Sequence, residues 1–175
     1  MDREEVILVN EHDEPIGVME KLEAHQQPIL HRAFSVFIFN NKNEMLLQKR
    51  ASTKYHSANL WTNACCSHPR PYETVQIAAE RRLKEEMGFS TIIKPAFTFT
   101  YQANFDNGLS EYEFDHVFIG KYNGELSLNN DEVQDYTYQS LQAIDELIQA
   151  KPEIFTAWFI IAFPKLISYL QDNPL

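Results

Sequence analysis

Positive charge is scarce in this 175-residue chain, with 15 Lys and Arg against 25 Asp and Glu and a formal net charge of -10. That excludes general binding to nucleic acid or to an anionic membrane, since both need a basic surface. An anionic ligand must therefore meet a local basic pocket or a metal ion. Cysteine is nearly absent: Cys65 and Cys66 are the only two. Neighbours in sequence cannot close a relaxed disulfide with each other, and the lack of any C-x-x-C pair fits a reducing compartment. Five glycines supply no glycine-rich phosphate-binding loop. No apolar run approaches the ~20 residues that span a bilayer. The segment Met1-Asp2-Arg3-Glu4-Glu5, followed only by Val6–Val9, lacks the layout of a signal peptide. The expectation is a cytoplasmic protein with no nucleic-acid or membrane partner. With 44% hydrophobic and 13% aromatic residues, it can bury one core in a single domain over 1–175.

What is there concentrates in Trp61-Thr62-Asn63-Ala64-Cys65-Cys66-Ser67-His68-Pro69-Arg70, ten residues carrying an aromatic ring, two thiols, an imidazole and a guanidinium. A thiol there is either inert packing or a proton-transfer group. Upstream, Glu5–Asn10 reads as a strand and Glu11–Gly17 as a turn. Lys21, His25 and His31 follow, and each histidine is either satisfied alone or a metal ligand. Ala33–Phe39 and Met45–Lys49 read as strands joined by a turn at Asn40–Asn43. Arg50 and Lys54 are solvated charges or parts of an anion site.

A helix follows Pro71 and ends at Gly88, a residue that tolerates the left-handed cap. Val75, Ala79 and Leu83 form its apolar stripe. Arg82 and Glu86 fall within roughly 20° of Val75 on the same projection, where an unpartnered charge is costly. They either pair with each other at i, i+4 or face a polar cavity, to which Glu85 also points. In Ala96–Ala103, Phe97, Phe99 and Tyr101 share a face. Beyond the Asn107-Gly108 turn, Glu111, Glu113 and Asp115 share another, opposite Tyr112 and Phe114. That carboxylate row is a solvated face or, with the histidines, a metal site. Tyr122–Ser127 and Glu132–Gln139 read as strands or loops, and Ser140 caps a helix that Pro152 interrupts. Ile154–Phe163 reads as a buried helix closed by Pro164-Lys165, carrying Trp158 as a core residue or as the ring of a ligand cavity.

Together these residues resemble the type I isopentenyl-diphosphate isomerases, a branch of the Nudix superfamily. The resemblance rests on Ala33-Phe34-Ser35 after a histidine, Trp61-Thr62-Asn63, Cys66-Ser67-His68-Pro69, Arg81–Gly88 with Glu73 eight residues earlier, Glu111-Tyr112-Glu113 and the Trp158 region. It spans Val6 to about Tyr169. Two positions depart from the Nudix hydrolase box: Ser67 replaces a glycine, and Arg82 replaces a glutamate that hydrolysis uses.

The resemblance implies an α+β fold, a Nudix-like α/β/α sandwich with a mixed β-sheet between helices. It implies a Mn²⁺ or Zn²⁺ site of His25, His31, His68, Glu111 and Glu113. Mg²⁺ would be held with the diphosphate near Glu86 and the backbone of Cys66. Lys21, Arg50, Lys54, Arg70 and Arg82 would bind the diphosphate, a local reversal of the negative field. Cys66 and Glu113 would transfer protons, Tyr101 would assist, and Trp158 would face a carbocation in the interconversion of isopentenyl and dimethylallyl diphosphates. The substrate is thus a small isoprenoid diphosphate. A Nudix pyrophosphohydrolase and a non-catalytic diphosphate-binding relative are the alternatives. A flavin-dependent isomerase of the same reaction has another fold.

Overall fold

Strand β3 (His31–Phe39) is buried along almost its whole length because it has partners on both edges and helices over both faces. Alternation sorts its side chains. Phe34, Val36 and Ile38 join one core with Leu83 and Met87, whereas Phe37 and Phe39 join another with Phe159 and Phe163. A computed structural model describes residues 4–175, so Met1, Asp2 and Arg3, which open the segment weighed as a leader, lie outside it.

The nine strands form one mixed sheet. Along β3 run β8 (Ser110–Lys121) in parallel and β6 (Cys65–Ser67) antiparallel, while its two ends touch β1 (Glu5–Val9) and β4 (Met45–Arg50). β7 (Ile93–Asn104) pairs with β8, β2 (Pro15–Glu20) with β1, and β5 (Trp61–Thr62) and β9 (Val133–Gln139) with β4. Helix α2 (Val75–Met87) covers one face, and α3 (Leu141–Ala150) and α4 (Ala157–Asp172) the other. This is the expected α+β arrangement of helices around a mixed sheet.

Helix α2 starts where Thr74 Oγ1 accepts the Ile77 N–H and ends at Gly88, φ 77°. A Cβ at Gly88 would also meet the Ser127 carbonyl oxygen at 2.2 Å, so glycine is required twice over. Several boundaries differ from the sequence reading. The turn read over Glu11–Gly17 gives way at Pro15 to β2, an edge strand on which the missing N–H is tolerated. Lys21–Gln26 forms a short helix, α1, capped by Glu20, which accepts from Leu22 N and Glu23 N. Helix α4 begins at Ala157 rather than Ile154, which ends a separate 3-10 turn, and is not closed by Pro164 but runs through it to Asp172. The proline forfeits one helical bond on the outer side, while buried Phe163 and Leu166 hold both flanking turns to the core. Burial of a side chain of that size stabilises by about 1.5–3 kcal/mol. Among the described residues, no helix is long and apolar enough to cross a membrane.

Candidate active site

Sheet register assembles the first part of the site. Parallel pairing sets His31 beside Glu113, antiparallel pairing sets Glu113 beside Tyr101, and β6 delivers His68 next to the start of β3. His25 arrives from α1. Donor atoms of His25, His31, His68 and Glu113 all lie within 4.8 Å of one another, and those of His25, His56 and Glu111 form a second such group.

The tautomers suit a cation. A carbonyl only accepts, so His25 Nδ1 donates to Lys21 O at 2.6 Å and His31 Nδ1 to Ile29 O at 2.8 Å. Each Nε2 is thereby left with a bare lone pair turned inward, which is how an outer hydrogen bond prepares a metal-binding imidazole. His25 Nε2 is buried with no hydrogen-bond partner, and His31 Nε2 stands 3.2 Å from His68 Nε2. Burial favours the neutral form of two of the rings, pushing His25 down and His68 down to about 4. A cluster of neutral imidazoles around a carboxylate can hold a metal ion.

The carboxylate row faces inward, which rules out the solvated-face reading: Glu111, Glu113 and Asp115 are 4%, 6% and 1% exposed. Burial raises Glu111 strongly, with Glu113 adding to it. Burial acts the same way on Glu113, but the imidazoles of His31 and His68 beside it, the latter donating Nε2–H to Oε1 at 2.9 Å, outweigh it and hold that group well below the usual carboxylate range. The surroundings thus disfavour charge on Glu111 and favour it on Glu113. Tyr101 fits between them, its hydroxyl donating to Glu113 Oε2 at 2.6 Å and standing 3.0 Å from Glu111 Oε2.

The two thiols have different surroundings. Cys65 is fully buried in the core under α2. Cys66 borders the cavity, its Sγ donating to Asn63 Oδ1 at 2.9 Å and lying 3.4 Å from Ser35 Oγ. Ser35 in turn donates to Asp115 Oδ2 at 2.7 Å. Burial, with the Asp115 and Glu86 charges, keeps the Cys66 thiol protonated.

Lys21, Arg50, Lys54 and Arg82 line the same cavity as Cys66, Glu86, Glu113, Tyr101 and Trp158. Arg70 does not reach it. That residue is exposed on the turn before α2, where its backbone N–H donates to Glu73. The expected reversal of the negative field is also absent from the side chains themselves. Lys21 pairs with Glu4 at 3.0 Å, Lys54 pairs with Glu132, and Arg82 contacts Glu85, Glu86 and Glu132. Both readings of the Arg82–Glu86 pair hold together: they bond at 2.7 Å and they border the cavity. Arg50 has no carboxylate partner among the described residues. It donates to the carbonyls of His56 and Ser57 and lies over Trp158, whose indole N–H donates to Thr62 Oγ1 at 2.9 Å.

Sequence reasoning gave no role in the site to six cavity residues, Ser35, Gln48, Tyr55, His56, Ser67 and Glu132. Gln48 donates to Glu86 Oε2 at 2.9 Å, and His56 Nε2 stands 3.6 Å from Glu111. The polar Gln48 within the otherwise apolar head of β4 was the one signal available.

This architecture is that of the NUDIX domain, which the sequence matches over residues 29–159. A crystal structure of a Deinococcus radiodurans protein shares the fold at 18% identity, with a TM-score of 0.77 over 93% of this chain and 98% of its own. The MutT protein of Methanosarcina mazei does so at 19% identity and a TM-score of 0.66, over 83% of this chain and 96% of its own. At the level of sequence, isopentenyl-diphosphate Delta-isomerase 2 of Photorhabdus laumondii is 53% identical over 88% of this chain and 87% of its own length. The isopentenyl-diphosphate Delta-isomerase of Pectobacterium atrosepticum is 50% identical over 95% and 93%. The chain belongs to the isopentenyl-diphosphate Delta-isomerase family.

Proposed function

We propose that the chain interconverts isopentenyl diphosphate and dimethylallyl diphosphate by protonation and deprotonation. The observation that carries this reading is that Cys66 and Glu113, one a protonated thiol and the other an ionised carboxylate, border one cavity beside Trp158. In the direction of the allylic product, one of the pair adds a proton to C4 and the other takes a proton from C2. Between the two transfers the positive charge sits on the tertiary carbon C3. Trp158 offers that charge an aromatic face, an attraction of ~2 kcal/mol or more when desolvated. Tyr101, hydrogen-bonded to Glu113, passes or steadies the proton on that side. Buried walls keep water from the cation.

Lys21, Arg50, Lys54 and Arg82 bind the diphosphate. His25, His31, His68, Glu111 and Glu113 would hold Mn²⁺ or Zn²⁺, and Glu86 with the Cys66 carbonyl would hold Mg²⁺ beside the phosphates. Such ions supply fixed positive charge that favours ionised carboxylates and screens the phosphates. The hydrolase alternative is weakened by Arg82, whose guanidinium lies between Glu86 and Glu132 where hydrolysis would use free carboxylates.

Turnover of isopentenyl diphosphate in D₂O with Mg²⁺ tests the reaction. Deuterium in the new methyl group, with no phosphate released, is expected. Phosphate released in step with substrate loss, with unlabelled carbon, would decide for the hydrolase.

A further inference from the structure

At the phosphate end of the cavity, one carboxylate holds two of the cations. Glu132 accepts from Lys54 Nζ on one side and lies 3.1 Å from Arg82 on the other. Its position is set by the backbone: Glu132 N donates to Asn129 O at 2.9 Å, and Ala51 N donates to Glu132 O at 2.9 Å. The carboxylate can therefore turn away from the cations but cannot leave their neighbourhood. Arg82 already faces Glu85 at 2.9 Å and Glu86 at 2.7 Å, so carboxylates outnumber bases around this pair of cations. Burial opposes the charge on Glu132, yet bonds from Lys54 and Arg82 outweigh it and hold the carboxyl below its ordinary range. Free space in the cavity is about 60 Å³, against roughly 300 Å³ for a small-ligand site. Glu132 is one of the residues that border this narrow space.

Resting on the assignment of Lys54 and Arg82 to the diphosphate, we infer that Glu132 is the residue that makes this site select the divalent-cation complex of a diphosphate over the bare anion. A bare diphosphate must compete with a tethered carboxylate for the same N–H donors, and after displacing it still lies beside its charge. A diphosphate whose oxygens share a divalent cation carries less net charge, and the displaced carboxylate then faces a cation instead of an anion. Selectivity thus comes from a repulsive element built into the site, placed against the wrong form of the ligand.

Calorimetric titration of the full chain with inorganic pyrophosphate tests this, once in excess chelator and once with Mg²⁺. The wild type should bind at least 100-fold more tightly with Mg²⁺. Glu132→Gln keeps the shape and removes the charge, and should tighten chelator-condition binding at least tenfold while changing the Mg²⁺ value less than threefold. Glu132→Asp keeps the charge and should stay close to the wild type in both conditions. Weaker binding of Glu132→Gln in both, or equal tightening by Gln and Asp, would overturn the inference, since the first marks a strut or metal ligand and the second mere loss of bulk. Product analysis of the wild type with isopentenyl diphosphate is a separate readout. Its failure would remove the isomerase reading and leave the pyrophosphate result standing.

Discussion

The guanidinium of Arg50 lies 5.1 Å from the ring centroid of Trp158, so one aromatic side chain borders both a cation proposed to bind the diphosphate and the proposed carbocation. Its N–H is committed to Thr62, which fixes the plane of the indole. Trp158→Ala removes the ring from both partners, and a loss of ~2 kcal/mol of cation stabilisation corresponds to roughly a 30-fold fall in kcat. Trp158→Phe keeps a weaker π face without the N–H anchor, and should lose only several-fold. Steady-state kinetics below the melting temperature check this, because removing a core Trp also costs about 3–5 kcal/mol of stability. A rise in KM with unchanged kcat would mean that the ring serves Arg50 alone.

The adjacent thiols form an internal control. Cys66→Ala should lower kcat at least about 100-fold, the usual contribution of a proton-transfer group, with the fold intact. Cys65→Ala leaves a small void under α2 and should cost on the order of 1 kcal/mol of stability while keeping most of the turnover. Rate and melting temperature, measured on both variants, separate the two roles. Equal rate losses would assign both thiols to packing.

Period-two alternation made the faces of β8 legible in the sequence but not their direction. Glu111, Glu113 and Asp115 could be set on one face and Tyr112 and Phe114 on the other, yet which face turned inward depended on a parallel partnership with β3 that no local pattern announces. The aromatic side packs instead on a small cluster of Ile7, Val9 and Leu30. Helix α2 was legible at its end, because Gly88 caps it by chemistry that needs no tertiary contact, whereas its start was set only as after Pro71 and the N-cap Thr74 went unread. Glu132 and His56 were not legible. Each stands singly in a connecting segment, and each acquires partners only when segments distant in sequence meet, as in the contact of Glu132 with Lys54. Arg70 erred the other way: a basic residue beside the Cys-His stretch looked placed for an anion, but its backbone is turned outward by the bend before α2.

Acid titration reaches the histidine cluster through burial. In the unfolded chain an imidazole titrates near ~6.5. In the fold, desolvation holds His68 down to about 4 and His56 down to about 3. A histidine with a depressed folded pKa binds more protons when unfolded, so its contribution is intact above ~6.5 and is lost as pH falls from there toward the folded value. The metal-free protein should therefore lose stability between about pH 6.5 and 4, by up to about 1.4 kcal/mol per pH unit for each such histidine. Metal binding follows another group: a bound Mn²⁺ or Zn²⁺ must displace the proton that burial favours on Glu111, so affinity for the folded protein should fall as pH is lowered from 7. Melting curves on chelator-treated protein and equilibrium dialysis of the metal across pH 4–7 measure the two separately, with His25→Ala as the variant that should lose bound metal at every pH. Metal affinity that stays level from pH 7 to 5 would show that Glu111 is not among the ligands, and stability that stays level from pH 6.5 to 4 would show that His68 and His56 are as open to protons as they are in water.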